Sequence, residues 1–156
     1  MKLYLVQHGN ALSKDENPLR PLSDRGRVDV ARVAKFAKPL KITVDYLWYS
    51  KKSRAVQTAQ ILAEVVKVKK DSGERDDINP NDELDALLND LSKADGDIMV
   101  VSHLPFLDRL ASKLLSGSEA ANSVHFQQGG ILCLNYDKDT GWQIEWMITP
   151  EILTAE

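Results

Sequence analysis

The 156-residue sequence predicts a three-layer α/β/α sandwich with a mostly parallel central sheet. Two observations carry that prediction. Short apolar runs ending at polar or turn residues recur along the chain, and the stretches between them place apolar residues at helical spacing. Strands alternating with helices pack as a sheet covered on its faces. A third observation bears on organisation: no repeat, low-complexity tract or linker divides the chain, and its length suffices for one continuous core. One domain over residues 1–156 is therefore expected.

KLYLVQ at 2–7, YLWYS at 46–50 and DIMVVSH at 97–103 read as short buried strands. GILCLNY at 130–136 and WQIEWMI at 142–148 flank the turn DKDTG and read as a hairpin closing the sheet. A helix over 24–37 follows from Ser23 as N-cap and Val30, Val33, Ala34 and Ala37 along one face. A second, over 52–66, turns Ala55, Ala59, Leu62 and Val66 inward. NDELDALLNDL at 81–91 suggests a short helix, and Pro105 opens another that buries Leu107, Leu110, Ala111 and Leu114. The basic run KVKK at 67–70, followed by DSGERDD, reads as a solvated helix end and loop.

The net charge of -3 argues against a nucleic-acid binder, which usually shows a basic face. It leaves room for an anionic ligand, because a few convergent cations make a local positive pocket. No apolar run is long enough to span a bilayer. The N-terminus lacks the pattern of a signal peptide, and Cys133, the single cysteine, reads as a small core residue. A cytoplasmic protein without membrane contact is the expectation.

Ligands of open α/β sheets bind beyond the carboxyl ends of the strands. His8 ends the first strand, Ser50 the second, and His103 a later one just before a helix. Arg54 falls in the first turn of a helix, and Arg20 lies on the loop leading into the first helix. Two histidines and two arginines beside a helix N-terminus suit a doubly charged phosphoryl group.

These stretches resemble the histidine phosphatase superfamily, whose fold is phosphoglycerate-mutase-like. LVQHGNA is similar to its signature, in which Arg-His-Gly follows the first strand. SKKSRAVQTA is similar to Ser-Pro-x-x-Arg-Ala-x-Gln-Thr-Ala, and VVSHLPFLDRL to the second histidine motif. The short length, RPLSDRG and the WQIEWMITP ending are similar to the phosphohistidine phosphatase branch. The resemblance implies that His8 is the nucleophile, neutral and protonated on Nδ1, forming a phosphohistidine intermediate. It implies that Arg54 and His103 stabilise the transferring phosphoryl group. Arg20 would contact phosphate, and Gly9 would let the backbone approach it. No metal and no cofactor is implied. The expected partner is a phosphohistidine-bearing protein, and phosphate or its analogues would occupy the pocket.

Two features depart from the family pattern. Gln7 stands at the signature arginine, and Lys51 at the family's proline. A neutral amide in place of a charge-assisted pair gives up about 1–2 kcal/mol, or about ten- to thirtyfold in rate. Asp77, in ERDDINPND, best matches by position the general acid of larger relatives, with Asp82 and Glu83 close behind. A departing imidazole needs less protonation than an alkoxide, and so short a chain has little length for a lid over small metabolites. Both points favour phosphohistidine on a protein surface. The alternatives are a small-molecule phosphomonoester phosphatase and a catalytically weakened phosphate-binding module. His125, Gln127 and Gln128 read either as structural or as lining the pocket rim, and Trp48, Trp142 and Trp146 as core or sheet-face aromatics.

Overall fold

The computed structural model describes residues 1–153; the last three residues of the expected domain lie outside the described residues. A six-stranded sheet runs in the order β3-β2-β4-β1-β5-β6. Its strands are β1 (Lys2–Gln7), β2 (Thr43–Ser50), β3 (Lys67–Arg75), β4 (Ile98–Ser102), β5 (Ile131–Asp137) and β6 (Gly141–Ile148). β1 through β4 pair in parallel, and the β5–β6 hairpin adds antiparallel beside β1.

The alternation along β1 explains the layers. Tyr4 and Val6 face one side, where α1 (Asp24–Ala37) contributes Val30, Val33 and Ala37, and α2 (Ser53–Ala63) contributes Ala55, Ala59 and Leu62. Leu3 and Leu5 face the other side, against Leu87 and Leu91 of α3 (Asp85–Lys93) and Phe106, Leu107 and Leu110 of α4 (Phe106–Ser116). Successive strand residues point to opposite faces, so an unbroken apolar run such as LYLV needs a helix layer on each. Ser23 caps α1 as its sequence predicts, accepting from the Gly26 N–H at 3.0 Å. Trp48 and Trp142 pack against one core cluster and Trp146 against the other.

Two boundaries differ from the sequence reading. α2 stops at Ala63, and Val66 reaches the core from the turn beyond it. KVKK and the residues after it form no loop; they are β3, paired in parallel along β2. This edge strand has almost no buried face, so the alternation that normally betrays a strand is missing. Edge strands commonly carry lysines, which discourage pairing with another chain. Backbone pairing to β2 holds it, and Lys70 and Arg75 lie over the stacked rings of Tyr46 and Trp48.

Candidate active site

β1, β4 and β2 lie side by side, with Gln7 opposite Ser102 and Tyr49 opposite Val101, so their carboxyl ends are level. Just beyond stand His8 and His103, with Ser50 as the last residue of β2. The two imidazole rings are 4.9 Å apart between centroids and tilted by 59°. His8 is 7% exposed and His103 1%.

The backbone fixes the proton of His8. Its Nδ1 lies 2.7 Å from the Gly9 carbonyl, which can only accept, so Nδ1 carries the hydrogen and Nε2 keeps its lone pair. Burial lowers the His8 pKa from 6.5 to about 4, against the contrary pull of the Gly9 carbonyl, and Arg54 and Arg20 lower it further. The ring is therefore a neutral base at physiological pH. Ser50 orients the second histidine: its Oγ accepts the Lys52 N–H at 3.3 Å and lies 2.8 Å from His103 Nε2. His103 Nδ1 is buried with no partner among the described residues. Burial, then His8 and Arg54, push the His103 pKa down to about 3. It too is neutral.

The cations come from two loops. Arg54 sits in the first turn of α2, whose N-cap, Lys52, makes no side-chain capping bond. Burial and then Arg20 lower its pKa, and its Nε is buried without a partner among the described residues. Arg20 adopts φ 47° in the loop between β1 and α1, and its Nε donates to the Leu12 carbonyl at 3.0 Å. Arg20 and Arg54 line one cleft of about 520 Å³ together with Lys14, Lys51 and Lys52. The sequence thus brings His8, His103, Arg54 and Arg20 to one end of the sheet.

Other motif letters turn out to hold the loops together. The Gly9 N–H donates to Thr58 Oγ1 at 3.0 Å, and that hydroxyl donates to the Arg54 carbonyl at 2.7 Å. Gln57 Oε1 accepts the Leu22 N–H at 2.7 Å, tying α2 to the Arg20 loop. A Cβ on Gly9 would come 2.8 Å from Val30 Cγ2, so glycine is required there by the close approach of α1. Its N–H is engaged by Thr58. Ser50 and Thr58 were visible in the sequence only as motif positions; what each one orients is a tertiary fact.

Gln7, next to His8 at the end of β1, lines a cleft of about 720 Å³ with Arg25, Asp29, Gln127 and Gln128, and its Oε1 is buried without a partner among the described residues. Asp77 accepts two bonds from Arg75, at 2.8 and 2.7 Å, and Arg75 also pairs with Asp90 at 2.8 Å. Those bonds hold the Asp77 carboxyl below its ordinary pKa. Cys133 is fully buried, and burial pushes its thiol up to about 11, as befits a core residue.

The buried histidines make stability depend on pH. Unfolded, each titrates near its ordinary value of 6.5; folded, near 4 for His8 and 3 for His103. Between those limits the unfolded chain binds more protons, so stability is full above pH 6.5 and is lost as pH falls. The slope is about 1.4 kcal/mol per pH unit for each histidine. Urea unfolding at pH 7.5, 6.0 and 5.0 is expected to show the decline, and His103→Asn is expected to flatten it.

Comparison with known proteins agrees with this geometry. The family model described as Histidine phosphatase superfamily (branch 1) matches residues 3–76, the segment holding His8, Arg20 and Arg54. Residues 3–76 are thus similar to the histidine phosphatase superfamily. It is 22% identical over 158 residues to the phosphohistidine phosphatase SixA of Escherichia coli (strain K12), covering 96% of this chain and 94% of that protein. The solved structure of the protein histidine phosphatase SixA complexed with tungstate superposes with a TM-score of 0.82 at 22% identity, over 99% of this chain and 100% of that one. The α-ribazole phosphatase from Shigella flexneri is similar in fold, with a TM-score of 0.78 at 13% identity over 96% and 97% of the two chains. The phosphoglycerate-mutase-like fold of the histidine phosphatases is therefore that of this chain.

Proposed function

We propose that this protein is a histidine phosphatase that removes the phosphoryl group from phosphohistidine on a partner protein, through a phosphorylated His8. The observation that carries the reading is the Nδ1–Gly9 bond, which leaves a neutral His8 with its Nε2 lone pair beside two arginines and a second neutral histidine.

The chemistry follows in two steps. His8 Nε2 attacks phosphorus, and the bond from phosphorus to the substrate nitrogen breaks with its electron pair leaving on that nitrogen. Substrate protonated on its other ring nitrogen departs as neutral imidazole, so no general acid is needed. Water then attacks the phosphorus on His8, the Nε2–P bond breaks, and inorganic phosphate leaves with the proton of water released to solvent. Arg54, Arg20 and His103 hold the non-bridging oxygens while charge redistributes. The engagement of Asp77 by Arg75 favours this leaving group over an alkoxide, which benefits from a proton donor. The likeness to proteins described as phosphohistidine phosphatases points the same way.

The test is phosphate release from a phosphohistidine-bearing protein set against a panel of sugar, nucleotide and serine phosphates. Preference for the phosphohistidine substrate is expected. Preference for an ester would favour the small-molecule reading, for which the likeness to the α-ribazole phosphatase speaks. Binding of tungstate without turnover would favour a phosphate-recognition module. Gln7→Arg is expected to raise kcat/KM by about tenfold, since it restores a charge-assisted donor beside the nucleophile. Steady-state kinetics on the same substrate checks it.

A further inference from the structure

The cleft that takes in Arg20 and Arg54 carries more positive charge than one phosphoryl group needs. Its lining includes Lys14, Lys51 and Lys52 besides the two arginines, and no acid. Lys51 is neutralised by Asp76 at 2.8 Å, whereas Lys14 and Lys52 form no ion pair among the described residues. A dianionic phosphoryl group is matched by the arginines alone. Lys14 and Lys52 are left over, on a protein whose net charge is -3.

The same cleft has an apolar lip. Leu19 is 72% exposed, next to Pro18, on the loop that holds Arg20. That loop is braced at several points. Leu12 N–H donates to the Pro21 carbonyl at 2.9 Å, Arg20 N–H to the Asn17 carbonyl at 2.9 Å, and Leu19 N–H to Asn17 Oδ1 at 3.0 Å. Glu16, an acid of the loop, accepts the Ser13 N–H at 3.0 Å and does not line the cleft. A large apolar side chain held outward on a braced loop contributes nothing to the core. It suits contact with a partner, because ordering it on binding costs little further entropy.

We infer that Lys14, Lys52 and Leu19 form a docking rim for a protein segment that carries acidic side chains beside its phosphorylated histidine. The inference rests on the proposed function and names the chemistry of its partner. The phosphoryl group enters between the arginines, neighbouring carboxylates meet the lysines, and an apolar spot on the partner covers Leu19. Such rim charges act on encounter and on salt dependence more than on the chemical step.

The experiment uses phosphoimidazole and two phosphohistidine peptides, one flanked by Asp and Glu and one by Asn and Gln. Wild type is expected to turn over the acidic peptide with kcat/KM about tenfold higher at low salt, the gap closing as salt rises. Lys14→Glu and Leu19→Ala are each expected to shrink that gap and leave phosphoimidazole turnover unchanged. Equal rates on the two peptides, or an equal loss on phosphoimidazole, would overturn the inference. Fluorescence anisotropy of the same peptides on His8→Ala protein reads the preference independently of turnover. Absence of any phosphoimidazole hydrolysis by wild type therefore counts against the proposed function, whereas equal affinity for the two peptides counts against the docking rim.

Discussion

Replacing His8 by alanine is expected to abolish turnover, by at least about 10⁴-fold, and with it any covalent phosphoenzyme. The expectation follows from the electronic state of the ring. Only a neutral imidazole has a lone pair to give, and the Gly9 carbonyl at 2.7 Å directs the proton to Nδ1 so that Nε2 is the nucleophilic atom. With the pKa lowered to about 4, the ring needs no base to prepare it. The measurement is a quench of radiolabelled protein under alkaline conditions, where a phosphoramidate survives and an acyl phosphate does not. Wild type should retain label and His8→Ala none. Label retained in the variant would remove His8 from the nucleophile's role. Unchanged circular dichroism would show that the loss is chemical.

Removing Arg54 is expected to cost about 10²- to 10³-fold in kcat, the usual effect of deleting one preorganised donor to a transition state. Its Nε is buried without a partner among the described residues, and Arg20 in the same cleft already depresses its pKa. Two guanidinium groups that repel each other are arranged for an anion between them. Arg54→Lys should recover only part of the loss, since a lysine keeps the charge and lacks the two-pronged geometry. Rapid-quench kinetics of the first turnover, with partial rescue by added guanidinium, separates this from a folding defect. A loss under about fivefold would assign the phosphoryl grip to Arg20 and His103 instead.

The protein shows which parts of a site are written in neighbouring letters and which are not. His8 was legible because it ends an apolar run just before Gly9, and His103 because it ends another just before a proline-led helix. Arg54 was legible because it falls where a helix must start. Ser50 and Thr58 were less so, since a hydroxyl in a motif does not say which nitrogen it meets. That Asp77 pairs with Arg75, two residues earlier, could not be read from its position alone. β3 was missed because an exposed edge has no buried side to print its period.

What the sequence determined by itself is the order of the helices and of every strand but β3, the two-sided burial of the central strands, and the set of groups gathered at their carboxyl ends. Hydrophobic periodicity and helix capping are local, so they can be read from one segment at a time. What only the tertiary structure decided is the state of those groups: which imidazole nitrogen holds the hydrogen, which carboxylate is tied to an arginine, and which lysines remain unpaired at the rim. Each of those depends on a partner distant in sequence, or on burial created by the whole fold, and electrostatics in a protein follows distance in space.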